Sequence, residues 1–194
     1  LIWYTISKVY ETAGIVMSFP LFPDLILKSL TDLTPDMLRA RGVEFLMMDF
    51  DNTIVPYTTD APTDEMRQWL ANMQHSGIRL CVVSNSKRPR VKVFCEKYGL
   101  NCITHAKKPF QKGIRECLAT YQLQPQQAAL VGDQIYTDVF GAKSGGLTAI
   151  LVSAIHNHTV WLKLRHVAEL PFIGGARLKI ALRKKKQARS GGKI

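Results

Sequence analysis

Apolar residues in this chain come in short uninterrupted blocks separated by helical-period segments. "VEFLMMDF" (43–50), "IRLCVVSN" (78–85), "NCITHA" (101–106), "AALVGD" (128–133) and "TAILVSA" (148–154) have strand length and do not alternate with polar residues. Between them lie "TDEMRQWLANMQHSG" (63–77), "RVKVFCEKYG" (90–99), "FQKGIRECLATYQ" (110–122) and "TDVFGAKSGG" (137–146). The first of these starts with Thr63 in N-cap position, has Asp64 and Glu65 in its first turn and stops at Gly77, the signature of a helix. In the third, Ile114, Leu118 and Tyr121 recur at helical spacing. Strands alternating with helices predict βαβ units and a mainly parallel sheet. Strands apolar at every position predict a sheet covered on both faces, a three-layer α/β/α Rossmann-like arrangement.

In such a sheet, ligands sit outside the carboxyl ends of the strands. The polar residues that end the apolar blocks all fall at that edge. Asp49 and Asp51 follow the first block, Ser84 and Asn85 the second, Lys107 and Lys108 the third. Asp133 ends the fourth, with Asp138 a turn further on. Asp49, Asp51 and Asp133 beside Lys108 alone make a cluster too negative to stand by itself, because like charges withdrawn from water are costly. An all-oxygen set without His or Cys selects a hard dication, Mg²⁺. Mg²⁺ on carboxylates beside a lysine is an arrangement for handling phosphate, with Ser84 and backbone amides completing the cradle.

"DFDNT" (49–53), "SN" (84–85), "KKP" (107–109) and "GDQIYTD" (132–138) resemble, in order, the four motifs of the haloacid dehalogenase superfamily of phosphohydrolases. The likeness spans about residues 43–154. The wording of "SNSK", "AKKP" and "VGDQIYTDVFGAKSGGLTAILV" is further similar to the subfamily IIIA phosphatases of the YqeG type, relatives of phosphatidylglycerophosphate phosphatases. The segment 21–43 resembles that group's N-terminal stretch. The resemblance implies that Asp49 is the nucleophile and is converted to an aspartyl-phosphate. It implies that Asp51 protonates the leaving group and then activates water. Asp49, the Asp51 backbone carbonyl and Asp133 would bind Mg²⁺, and Asp138 would order the metal's waters or Lys108. Ser84 would hydrogen-bond the phosphoryl oxygens and Lys108 would neutralise charge on Asp49 and the phosphate. Asp51 and Asp138 are therefore counted with Asp49 and Asp133 as the metal-site residues, and Asn85, Lys87 and Arg88 as substrate contacts.

The stretches between motifs, 32 residues (52–83) and 22 residues (85–106), have no room for the cap domain that many superfamily members carry. An uncapped site accepts a large phosphorylated substrate, and a membrane lipid such as phosphatidylglycerophosphate leads. A nucleotide, sugar phosphate, protein or RNA end stays open, as does a module that binds RNA or the ribosome. "SNSKRPRVK" (84–92) places Lys87, Arg88, Arg90 and Lys92 past the second motif, either as a solvated helix start or as a contact for a second anionic group.

Charge adds a division. Residues 150–194 hold ten Lys or Arg against Glu169, whereas residues 1–149 hold 16 basic and 14 acidic residues, so the overall +11 sits mostly at one end. The expected organisation is an N-terminal segment (1–42) preceding or packing on a core (43–154), then a C-terminal segment (155–182) and a frayed basic tail (183–194). The tail is either solubilising or a peripheral contact for anionic membrane or RNA. Residues 1–16 are left out of the fold reading, Met17 resembling a natural start. His156 and His158 look like loop residues more than a metal pair. Cys81, Cys95, Cys102 and Cys117 form no CxxC or zinc spacing, which fits reduced core thiols in a cytoplasmic protein. No block reaches the length of a membrane span. The chain carries no signature of an oligomeric state.

Overall fold

A computed structural model describes residues 21–155. The expectations for residues 1–20, for His156 and His158, and for the C-terminal segment and basic tail lie outside the described residues.

Six strands form one sheet: β1 (Leu25–Ile26), β2 (Phe45–Met48), β3 (Arg79–Val83), β4 (Asn101–Ile103), β5 (Ala128–Gly132) and β6 (Thr148–Leu151). Their order is β1-β6-β5-β2-β3-β4, and every pairing is parallel. The helices are α1 (Pro35–Arg39), α2 (Asp64–His75), α3 (Arg90–Lys97), α4 (Lys112–Thr120) and α5 (Phe140–Ser144).

The unbroken apolar blocks are explained by two cores. Leu46, Met48, Leu80, Val82, Ala129 and Val131 point to one face, against Trp69, Leu70 and Met73 of α2 and Phe94 of α3. Their strand neighbours Phe45, Met47, Cys81, Val83, Ala128 and Leu130 point to the other, against Ile114 and Cys117 of α4 and Ala142 of α5. Side chains alternate along a strand, so a sheet buried on both sides needs apolar residues at every position. α2 begins as its sequence predicts, with Thr63 Oγ1 accepting the Met66 amide at 3.2 Å. Trp69 Nε1 then donates to the Leu33 carbonyl at 2.7 Å and ties α2 to the N-terminal lead-in.

The lead-in does more than precede the core, since β1 extends the sheet. Asp24 fixes its position by accepting from Lys143 Nζ at 2.9 Å and from the Ala149 amide at 2.9 Å. The fourth helix-like segment, expected as one helix over 137–146, is a π-helical turn over Ile135–Val139 followed by α5. Between β2 and β3 lies one helix, and between β3 and β4 another, so no cap domain interrupts the described residues.

Candidate active site

The strand carboxyl ends share one edge of the sheet, and at its middle β2 runs between β5 and β3. β2 leads into Asp49, whose amide still pairs with the Val131 carbonyl at 2.9 Å. That backbone bond fixes the carboxylate at the sheet edge. The chain then turns at Asn52 (φ 60), whose amide donates to the Val55 carbonyl at 2.7 Å. The turn folds Thr53 back toward Asp49, Oγ1 to Oδ2 at 3.4 Å.

β3 ends in Ser84 and Asn85. The Ser84 hydroxyl is buried and accepts the Ser86 amide at 3.0 Å, leaving its own hydrogen to be directed at an incoming acceptor. Asn85 lines the cavity, but its amide is also committed to the backbone of Lys108. Nδ2 donates to the Lys108 carbonyl at 2.9 Å and Oδ1 accepts the Lys108 amide at 2.6 Å. The loop beyond β4 has His105 and Lys107 at positive φ and a cis peptide between Lys108 and Pro109.

Lys108 is the centre of the site. Its ammonium donates to Asp49 Oδ1 and to Asp138 Oδ1, both at 2.7 Å, and the residue is 4% exposed. Asp138 reaches it because Gly132 carries no side chain: a Cβ there would run into the Asp138 carboxyl group. Asp138 also accepts the Gln134 amide at 3.1 Å, closing the π-helical turn on itself. Asp133 is buried beside them, and the carboxylates of Asp49, Asp133 and Asp138 each offer an oxygen within 4.8 Å of the others.

Titration follows from this crowding. Burial raises the Asp138 carboxyl above its ordinary range, against the pull of Lys108. Burial pulls the Lys108 ammonium down, but Asp138 and Asp49 outweigh it and hold it above its usual value. Asp51 is raised as well, first by burial and then by the Asp49 charge, while Arg90 opposes the shift.

Asp51 keeps separate company. Its carboxylate stands 3.3 Å from the Arg90 guanidinium, apart from the three clustered acids. Of the four cations in 84–92, Lys87, Arg88 and Lys92 are exposed and Arg90 turns inward. It donates to the carbonyls of Pro56 (3.0 Å), Tyr57 (3.1 Å) and Thr59 (2.5 Å), and pairs with Asp60 at 2.7 Å. Its guanidinium lies over the Phe50 ring, 5.2 Å from the centroid. Arg90 thus fixes the loop after the first motif, a role that its sequence neighbours do not distinguish.

A cavity of about 440 Å³ opens onto these groups. Asp49, Asp51, Ser84 and Lys108 are its buried lining; Asn85, Lys87 and Arg88 belong to its exposed part. Tyr57, Gln134 and Thr137 also line it. Gln134 and Thr137 stand inside the "GDQIYTD" segment without an expected role there, and no pattern marks Tyr57. Asp49, Asp51, Asp133 and Asp138 bring four carboxyl groups to a site with two buried cations, Lys108 and Arg90. The donor set is oxygen throughout, so the residues fit a small hard dication such as Mg²⁺.

A profile described as haloacid dehalogenase-like hydrolase matches residues 58–152. "Probable phosphatase YqeG" of Bacillus subtilis (strain 168) is 34% identical over 130 residues, 67% of this chain and 76% of its own length. "Glyceraldehyde 3-phosphate phosphatase" of Pyrococcus furiosus is 26% identical over 163 residues, 79% of this chain and 61% of its own. Among solved structures, an uncharacterized protein from Listeria monocytogenes serotype 4b superposes with a TM-score of 0.50 at 17% identity, over 61% of this chain and 84% of that one. That last likeness is one of fold.

Proposed function

From the premise that the chain belongs to the haloacid dehalogenase-like hydrolases and is a phosphatase of that family, we propose that it cleaves a lipid phosphomonoester, with phosphatidylglycerophosphate as the leading candidate, through an aspartyl-phosphate. The observation that carries the chemistry is the Lys108 ammonium bridging Asp49 and Asp138 at 2.7 Å each on the floor of an open cavity.

In this reading a carboxylate oxygen of Asp49 attacks phosphorus as the bond from phosphorus to the substrate alkoxide breaks. Asp51, whose raised pKa favours the protonated form, gives its proton to that alkoxide, and the alcohol leaves. Asp51, now ionised, takes a proton from water as the water oxygen attacks phosphorus. The bond from phosphorus to Asp49 breaks, inorganic phosphate departs and both carboxyl groups are restored. Ser84 donates to a phosphoryl oxygen and Lys108 holds Asp49 in place while balancing its charge. Asp49, Asp133 and Asp138 would hold Mg²⁺, with the Asp51 backbone carbonyl. The bound ion would supply charge neutralisation for the phosphoryl oxygens.

Two features favour a lipid phosphate. With no cap domain over it among the described residues, the cavity can admit a headgroup still attached to a bilayer. Lys87 and Arg88 line its exposed part, where the phosphodiester of a phosphodiester–monoester substrate would find two cations. The test is a substrate panel with and without Mg²⁺. It includes phosphatidylglycerophosphate in detergent micelles, glyceraldehyde 3-phosphate, a nucleotide, a phosphopeptide and a 5′-phosphorylated RNA. Mg²⁺-dependent release of phosphate from the lipid, at least tenfold faster than from the others, supports this reading. A soluble ester turned over faster than the lipid contradicts it.

A further inference from the structure

Asn85 stands just past the end of β3, beside Ser84, where the sequence marks it as a substrate contact. Its side chain is engaged with a different partner. Oδ1 accepts the Lys108 amide at 2.6 Å and Nδ2 donates to the Lys108 carbonyl at 2.9 Å. A carboxamide carries an acceptor and a donor side by side, so it can hold both backbone groups of one residue at once. Lys108 needs such a partner. It is 4% exposed, so its N–H and C=O have little access to water and must find their bonds within the protein.

The rest of the loop is anchored through other residues. The Ala106 amide donates to the Ser84 carbonyl at 3.0 Å, and the Phe110 amide to the Lys107 carbonyl at 2.8 Å. Gln111 Nε2 donates to the carbonyls of Pro109 at 3.2 Å and Gly141 at 2.9 Å. These bonds fall on the residues around Lys108, whereas the pair from Asn85 falls on Lys108 itself. His105 and Lys107 have φ of 55° and 56°, a conformation that residues with a side chain keep where the surroundings enforce it. The loop therefore depends on its tethers for its path.

That path decides what the far end of the side chain can do. The two acids that Lys108 bridges are set independently of it. Asp49 is fixed by its amide bond to the Val131 carbonyl, and Asp138 by its bond to the Gln134 amide. A lysine ammonium rides on a flexible four-carbon stem, so its reach to both carboxylates at 2.7 Å follows from where the backbone of Lys108 is placed.

We propose that Asn85 is a positioning residue for the reaction: by holding both backbone groups of Lys108, it sets where the ammonium meets Asp49 and Asp138, and it does not select the substrate. This rests on the charge-balancing role given to Lys108 above and is independent of which phosphate ester is cleaved.

The test uses the full chain with Mg²⁺ and para-nitrophenyl phosphate. The parent is compared with Asn85→Ala, Asn85→Asp, Lys108→Met and the double variant Asn85→Ala with Lys108→Met. Rates are referred to the folded fraction given by a melting curve of each form. Asn85→Asp keeps the size of the side chain and its acceptor, but sets a second oxygen against the Lys108 carbonyl. Both Asn85 variants are expected to lower kcat about 10- to 100-fold and to leave KM within about twofold of the parent. Added to Lys108→Met, Asn85→Ala is expected to lower kcat by less than about twofold more, because the group through which Asn85 acts is already gone. Near-parental kcat in both Asn85 variants, with Lys108→Met slow, would overturn the positioning role and leave the reading of Lys108 intact. A KM raised about tenfold at unchanged kcat would also overturn it, and would make Asn85 a substrate contact. So would a loss of the same size with and without Lys108, which is what a merely structural role produces. Parental turnover in Lys108→Met would overturn the reading of Lys108, and the role of Asn85 with it.

Discussion

The loop after β4 and the start of α3 each bring one cation out of water at the same cavity, and the two are held differently. Among the described residues the Lys108 ammonium meets two acids, Asp49 and Asp138, both buried, at 2.7 Å. Arg90 meets Asp51 at 3.3 Å but spends most of its donors on the carbonyls of Pro56, Tyr57 and Thr59 and on Asp60. A lysine is a point charge that can be shared between two carboxylates, whereas the planar guanidinium can hold several fixed acceptors at once. In the mechanism proposed above, the contrast gives Lys108 the charge balance of the reaction, while Arg90 holds the shape of the loop that carries Asp51 and Tyr57.

The most severe way to break this contrast is Lys108→Met. It leaves Asp49 and Asp138 facing each other with no counter-charge. Turnover should fall by about 10² to 10³, and the metal-free protein should lose about 3 kcal/mol in urea unfolding. A turnover loss below about tenfold would remove Lys108 from the reaction. Arg90→Gln should cost about 2 kcal/mol through the unpaired loop carbonyls, with turnover reduced about tenfold by misplacement of Asp51. Arg90→Lys should fail to restore either quantity, since an ammonium cannot span three carbonyls and two acids. Full rescue by lysine would reduce Arg90 to a simple charge.

The smallest effect sharpens the comparison from the acid side. The folded pKa of Asp51 is raised above the ordinary carboxylate value, so ionising it costs stability. That cost is absent below the unfolded pKa and grows as pH rises through the folded one. In EDTA, Asp51→Asn should therefore melt a few degrees above the parent at pH 7.5, with the gap closing as the pH falls toward 4. Arg90 keeps Asp60 and its three carbonyls in that variant. A gap that widens on acidification would mean that Arg90 stabilises ionised Asp51 more than burial penalises it.

How much of this the sequence revealed depends on the kind of signal. The five longer strands were legible because burial on both faces demands apolar residues at every position, and helices between them dictate parallel pairing. β1 was not, because two residues carry no periodicity. Its place is set by Asp24, whose bonds to Lys143 and Ala149 span 119 and 125 positions. The π-helical turn was also invisible, for it depends on how closely Asp138 approaches Gly132. At the site, polar residues that end apolar strands stand out individually, so Asp49, Ser84, Lys108 and Asp133 could be named in advance. The inward turn of Arg90 could not, because its partners lie about 30 positions away and Lys87, Arg88 and Lys92 look the same in sequence. Asn85 gave a partial signal: its place at a strand end is evident, but its bonds to the Lys108 backbone arise only from the folded loop.

The central claim is that Asp49 accepts the phosphoryl group. It is tested most directly by mixing the enzyme with Mg²⁺ and its best substrate from the panel, quenching in acid within milliseconds and mapping the protein by mass spectrometry. The account predicts a phosphate adduct on the peptide containing Asp49 in the parent, and neither adduct nor turnover in Asp49→Asn, whose fold should be unchanged. Wild-type turnover in Asp49→Asn, or an adduct on another residue, would contradict it.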